Sequence, residues 1–262
     1  ICTVLIARPA HVDRDAERSS SRDIVLCLDV SGSALPYDRA VIETYLELVS
    51  HFQGERIALS IFNSTSRTVF PLTDDYDLVS SQLTKAADAL RGVESQDDID
   101  KMSDKDYQKI ADWLEGTQNR KNSTSLIGDG LVSCAAMIPG FAYGDTSGAT
   151  RQRPASIVLA TDNVASGTPT YSLAQALDMA EASHISVDGL FSGPRQSEGD
   201  ATTTEMKQQI ESRGGTFLTQ SGSSDINELV RQIDSRRTSE SRRSRQAALI
   251  DAPGWWTLML VV

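Results

Sequence analysis

Three separate stretches hold the residues with the clearest chemical content. Asp29-Val30-Ser31-Gly32-Ser33 presents one carboxylate and two hydroxyls on a tight turn. Gly32 lets that turn fold close to a bound group. Thr124 and Ser125, in NSTSLIGDGL, offer a further hydroxyl just ahead of a helix expected near Ile127. Asp162, in ATDN, adds a second carboxylate beyond an apolar run. Carboxylate and hydroxyl oxygens are hard donors suited to Mg²⁺, with Mn²⁺ as a substitute. Two neutral hydroxyls beside few carboxylates leave such an ion electron-poor, so it takes an anionic ligand from outside. Each group also has a plain structural reading: local hydrogen bonds in a strand-end turn for Asp29, Ser31 and Ser33, a helix N-cap for Thr124 or Ser125, and an Asx turn for Asp162.

Other reactive groups are sparse. The histidines are His11, His51 and His184. His11 falls in a polar N-terminal segment, His51 in a helical run and His184 ahead of a strand. There is no GxSxG nucleophile elbow and no GxxxxGK[ST] phosphate loop. A hydrolytic metal site adds a base or a second metal, and Ser31 and Ser33 would have their oxygens engaged. The chain therefore reads as a binding module and not an enzyme. Asp129 reads as a first-turn helix carboxylate aligned with the dipole. Asp74, Asp75 and Asp77 do not have EF-hand spacing and read as a helix-cap cluster. Asp97, Asp98, Asp100, Asp104 and Asp106 read as solvated surface, or as a partner-recognition element beside the metal rim.

The elements that must position these residues alternate between strands and helices. Asp23 to Asp29 is a short apolar run that fits a buried strand. Pro36 opens a helix whose apolar residues are Val41, Tyr45, Leu46, Val49 and Phe52. Strands follow at Arg56 to Phe62 and Arg67 to Phe70, then a helix from Tyr76 to Leu90 with Leu78, Leu83 and Leu90 inward. Residues 92–123 read as a partly acidic insertion holding one helix, Asp104 to Leu114, with Ser103 as its N-cap and Tyr107, Ile110, Trp113 and Leu114 as its apolar stripe. Leu131 to Ile138 continues the helix that starts near Ile127, and Pro139-Gly140 ends it. Ala155 to Ala160 is near-continuously apolar, as strands covered on both faces are. Helix Ser172 to Ala182, strand Ile185 to Phe191, helix Thr203 to Ser212, strand Gly215 to Leu218 and helix Ile226 to Ile233 complete the pattern. Such alternation predicts an α/β, doubly wound, mostly parallel central sheet flanked by helices. Loops at the carboxyl ends of the strands collect the ligand groups of such folds. The residues just past Leu28, Asn122 and Thr161 should therefore meet.

DIVLCLDVSGS resembles the start of a von Willebrand factor type A (VWA) domain, and Asp29-x-Ser31-x-Ser33 matches that family's metal-ion-dependent adhesion motif. The resemblance covers about 23–234 and implies metal-site roles for Asp29, Ser31 and Ser33. The family threonine corresponds to the Thr124–Ser125 pair, with Ser125 favoured by register and Thr124 by residue type. The later aspartate corresponds to Asp162. Asn163 stands where a glycine is common, and Ala34 where a methionine is frequent. The arrangement is similar to bacterial membrane-anchored members encoded beside MoxR-type AAA ATPases. This implies a protein partner presenting Asp or Glu to the metal, in the assembly or maturation of other proteins. A structural scaffold with a purely stabilising metal and a surface adhesin are the competing expectations.

Charge and the two ends bound the rest. The 262 residues hold 25 Lys plus Arg and 36 Asp plus Glu, a net charge of −11 that argues against nucleic acid. Ile1 to Ala7 and Leu249 to Val262 are mostly apolar, and Trp255-Trp256 precedes the final run. They read either as parts of transmembrane segments or as an edge strand and a docked tail. On the first reading 1–22 is membrane-proximal and 235–262 is a basic linker with the start of a span. The arginines beside both runs then place the domain on the cytoplasmic side of the cell membrane. Cys2, Cys27 and Cys134 are too few for a disulfide framework and lack CxxC spacing. They read as buried thiols in a reducing compartment.

Overall fold

The computed structural model describes residues 22–219, apart from 53, 94, 119–122 and 144–152. Strand β1 (Asp23–Asp29) is central and wholly buried. It pairs in parallel with β2 (Arg56–Phe62) on one side and β4 (Ala155–Thr161) on the other. Beyond β4 lie β5 (Ile185–Phe191) and the short β6 (Phe217–Leu218), both parallel. Beyond β2 lies β3 (Ser66–Thr73), which is antiparallel and closes the sheet order β3-β2-β1-β4-β5-β6. The sheet is thus mostly parallel and doubly wound. Strand order reverses at β1, so the crevice above its carboxyl end is the topological switch point where ligands bind in such sheets.

Alternation along the strands sorts the core into two layers. Ile24, Leu26 and Leu28 of β1 pack with helix α1 (Leu35–Ser50) and helix α2 (Tyr76–Ala89). Val25 and Cys27 face the opposite layer, built on α5 (Ile127–Ala136), α6 (Leu173–Ala182) and α7 (Ala201–Glu211). Tyr45 of α1 is fully buried, and its hydroxyl donates to the carbonyls of Cys27 (3.3 Å) and Val158 (3.1 Å). That polar tip spans β1 and β4 and fixes α1 above the strand ends.

The insertion contributes two helices, α3 (Gln96–Asp100) and α4 (Asp104–Leu114), the latter capped by Ser103 as its sequence suggests. Ile110 is buried and Trp113 and Leu114 pack on the core, but Tyr107 stays 55% exposed, so the apolar stripe is narrower than expected. Arg67 of β3 ties α4 down by donating to the Trp113 carbonyl at 2.6 Å and lying over its indole. In α2 the inward face is Val79, Leu83 and Ala86, while Leu78 is 40% exposed. Positions 79, 83 and 86 share one side of a 3.6-residue helix, and position 78 is turned about 100° from them. Asp75 caps α2 through the Leu78 amide at 2.9 Å, in keeping with a cap cluster.

Two expectations are corrected. Cys27 and Cys134 are joined in a disulfide, with Cα atoms 6.1 Å apart, and are not free thiols. The α5 layer seats Cys134 directly over β1, a proximity that 107 residues of intervening sequence conceal. The transmembrane expectation is also overturned: no described helix is long and apolar enough to cross a membrane. The longest, α1, has 16 residues, against about 20 needed to span a bilayer. The apolar runs at 1–7 and 249–262, the flanking arginines and the helix expected at 226–233 lie outside the described residues.

Helix α5 lies so close to α6 that a Cβ on Gly128 would fall 2.0 Å from the Tyr171 carbonyl oxygen. Gly128→Ala is expected to cost about 3 kcal/mol, because the blocking atom is backbone and cannot rotate away. Guanidinium unfolding reads this as a lowered midpoint at constant slope. For the disulfide, the unreduced, denatured chain should present one reactive thiol, Cys2, and the reduced chain three. Replacing both Cys27 and Cys134 by Ala should cost about 2–4 kcal/mol, since the bridge constrains a long loop in the unfolded chain.

Candidate metal centre

Asp29 is the last residue of β1 and is fully buried. Its Oδ1 accepts the Ser31 amide at 3.0 Å, which folds the following turn back over the strand end. Its Oδ2 accepts the Ser125 hydroxyl and the Thr161 hydroxyl, each at 2.7 Å. Residues 96 and 132 positions beyond Asp29 thus meet on one of its carboxylate oxygens. The Ser31 and Ser33 hydroxyls lie 3.4 Å from each other. Ser33 and Asp162 line one cleft, and the Ser33 hydroxyl works against the burial that raises the Asp162 carboxyl. Asp162 accepts the Val164 amide at 2.9 Å, so it makes an Asx turn and faces the cluster at once. Ser31, Ser125 and Asp162 are buried and Ser33 is exposed, so the cluster opens to solvent on the Ser33 side.

The loop ahead of α5 decides which hydroxyl of the Thr124–Ser125 pair joins the cluster. Ser125 has φ 57°, a left-handed backbone that costs a β-carbon-bearing residue energy. Asn63 holds it there: the Ser125 amide donates to Asn63 Oδ1 at 3.4 Å, and the Leu126 amide to the Asn63 carbonyl at 2.9 Å. Thr124 instead pairs its backbone with Ser166 in an isolated bridge and is exposed, and no described hydrogen bond ties its hydroxyl to the cluster. Asn163, where the resemblance leads one to expect glycine, has φ 58°. Asparagine tolerates that conformation, and its side-chain amide donates to the Thr202 carbonyl at 2.8 Å. Asp129 accepts the Thr170 and Tyr171 amides and so braces the start of α6, outside the cluster. His51 and His184 are both exposed, one at the end of α1 and the other just ahead of β5.

Some members were not singled out from sequence. Thr161 could have been found from register: Leu28 faces Ala160, so Asp29 and Thr161 are the next positions on neighbouring parallel strands. Asp38 could have been found from periodicity, because it shares the apolar face of α1 with Leu35, Val41, Ile42 and Tyr45. It is fully buried. One of its oxygens meets the Ser192 hydroxyl at 3.5 Å, and the other has no partner among the described residues. Asn63 carries no local signal, since its role lies wholly in contacts across the fold.

Electrostatics and donor chemistry both suit a hard cation. Burial pushes the Asp29 carboxyl up to about 6, against the lowering pull of the Thr161 and Ser125 hydroxyls, and Asp162 raises it further. Burial likewise raises Asp162 and holds Asp38 well above the usual range, with Asp29 and Asp162 adding to the latter. Among the described residues no basic side chain contributes at any of the three. Charges buried without a partner are costly, and a divalent ion would supply the missing countercharge. Among the described residues no group of three or more His, Cys, Asp or Glu gathers as a metal cluster. The donor set is instead two carboxylates and three hydroxyls, all oxygen, which fits Mg²⁺ or Mn²⁺ and not a soft metal.

No family model and no curated protein matches the chain. Among solved structures, the fold is similar to the conserved hypothetical protein BatB from Bacteroides thetaiotaomicron, at 16% identity and TM-score 0.51, over 85% of this chain and 99% of that one. It is also aligned with the manganese-loaded TRAP protein of Plasmodium vivax, at 14% identity and TM-score 0.46, over 82% of this chain and 72% of that one. A von Willebrand factor type A structure from Catenulispora acidiphila aligns at 15% identity and TM-score 0.44, over 84% of this chain and 43% of that one. The likeness is one of fold alone, at low identity.

The raised Asp29 carboxyl sets a pH dependence. Without metal, its contribution to stability is complete below about pH 4 and is lost as pH rises through about 6. The loss is on the order of 3 kcal/mol. Added Mg²⁺ favours the carboxylate form, so the stabilisation it gives should be larger at pH 7.5 than at pH 5. Denaturant midpoints with and without Mg²⁺ at the two pH values check the direction.

Proposed function

We propose that the carboxyl edge of the sheet is a cation-dependent docking site for an acidic side chain of a protein partner. Mg²⁺ is the favoured ion and Mn²⁺ a substitute. The observation that carries this reading is the convergence of Ser125 and Thr161 on Asp29, with Ser33 and Asp162 lining one cleft at the same solvent-facing corner. Ser31, Ser33 and Ser125 are the hydroxyls that would hold the ion. Asp29 and Asp162 would hold it directly or through water. A bound Mg²⁺ supplies a concentrated positive charge to a carboxylate arriving from the Ser33 side. Asp29 orients two of the hydroxyl-bearing loops, and Thr161 and Asn63 keep Asp29 and Ser125 in register. Specificity comes from the rim, because a carboxylate alone is generic.

The VWA-like fold supports an interaction role rather than catalysis. The resemblance to members encoded beside MoxR-type AAA ATPases supports a partner in the assembly or maturation of other proteins. The Cys27–Cys134 bridge supports an oxidising compartment over the cytoplasm, since reducing compartments keep thiols free.

Isothermal titration with Mg²⁺ and Mn²⁺ tests the site. Ser33→Ala and Ser125→Ala should each weaken Mg²⁺ binding at least about tenfold, and Thr124→Ala should not. Magnesium-dependent capture from cell extracts, comparing wild type with Asp29→Ala, tests the docking role. Partners should be lost both in EDTA and in the variant. Partners retained in EDTA, with a metal-dependent rise in melting temperature, would assign the ion to stabilisation alone.

A further inference from the structure

Beside the cluster lies a cleft of about 660 Å³, lined by Ser33 and Asp162 of the site itself. Its volume is in the range of pockets that hold ligands. Tyr37 on α1, Val164 after β4 and Pro194 after β5 give it an apolar wall, and Val164 is 52% exposed. Asp200, at the N-cap position of α7, lines it too. The Asn163–Thr202 hydrogen bond holds the Asp162 loop against the start of α7, so that both carboxylates open on one cavity.

The charge pattern of this cleft is one-sided. Among the described residues it is lined by two carboxylates, Asp162 and Asp200, and by no Lys, Arg or His. Arg195, on the 3-10 turn Arg195–Gly199 ahead of α7, is exposed and does not line it. Asp162 already accepts the Val164 amide. Asp200 occupies an N-cap position, yet its side chain makes no capping hydrogen bond. An acidic partner residue entering this cleft is repelled unless an ion sits at the cluster. Once it is held there, Asp200 is a lining charge that the partner can still complement.

We propose that the cleft selects an extended protein segment in which the metal-seeking Asp or Glu is followed or preceded by an apolar residue and then by Lys or Arg. The apolar side chain packs on Tyr37, Val164 and Pro194, and the basic side chain pairs with Asp200. This deepens the docking reading above and rests on it. Asp200 acts on specificity and holds no metal, so changing it leaves the ion site intact.

The test is a phage-displayed nonapeptide library with a fixed central Glu, selected on the oxidised full chain in Mg²⁺ and eluted with EDTA. Lys or Arg should be enriched on one side of the Glu, with an apolar residue between. Synthetic peptides from the selection should bind Asp200→Lys about tenfold more weakly. They should bind Asp200→Asn less tightly and with a weaker dependence on salt than wild type. Mg²⁺ affinity of both variants should be unchanged. EDTA-eluted peptides without basic enrichment, or with equal affinity for wild type and Asp200→Lys, overturn the cleft assignment while the metal-docking reading stands. Recovery of no EDTA-sensitive peptide overturns both.

Discussion

A carboxylate buried at the end of a central strand, with no basic side chain among the described residues to neutralise it, is the constraint around which this protein is arranged. Asp29 has no exposed surface, and among the described residues hydroxyls and one amide satisfy it. Hydroxyl donors stabilise a carboxylate without cancelling its charge, which is why burial still wins and its proton affinity rises. Each donor comes from a different part of the chain. The loops after β1 and β4 and the loop ahead of α5 must therefore be held in place independently, and much of the polar structure at this edge does that work. Asn63 fixes the left-handed Ser125. Asn163 ties the Asp162 loop to α7, and Asp129 braces the start of α6.

The apolar layers make those polar contacts possible. Tyr45 anchors α1 to the two central strands, and α1 begins directly after the Ser31–Ser33 turn. On the opposite face the Cys27–Cys134 bridge joins β1 to α5. Asp29 lies two residues past Cys27, and Ser125 just ahead of α5. The covalent link therefore joins the two elements whose ends share the Asp29–Ser125 hydrogen bond. Close helix contact at Gly128 and Gly130 seats α5 on α6 and on Phe62.

On the docking reading proposed above, the same corner accounts for how a protein of net charge −11 would attract an acidic partner. Among the described residues, Asp162 and Asp200 are the charged groups that line the cleft beside Ser33. In that reading attraction would depend on the cation and discrimination on the cleft wall and Asp200, so affinity and selectivity would rest on different residues and could be separated experimentally.

From the residues alone, most of the described strands and helices were readable in order because apolar spacing reports burial directly, and β5, α2, α4 and α6 fall within a residue of their expected bounds; the five-residue α3, with one apolar residue, was not. The gathering of the stretches around Asp29, Ser125 and Asp162 followed from strand order, since parallel strands deliver their carboxyl ends to one edge. Other features needed the folded chain. Leu78 faces outward because a helix has one buried side, and neighbours set which side that is. Ser125 rather than Thr124 reaches Asp29 because Asn63, 62 residues earlier, bends the backbone there. Asp38 and Thr161 gain their places from packing and register, and Cys27 meets Cys134 across 107 residues. Local sequence determines which segments bury a face and which carry oxygen donors. Tertiary structure alone decides which donors meet, because the distances that govern charge and hydrogen bonding are set across the fold and not along the chain.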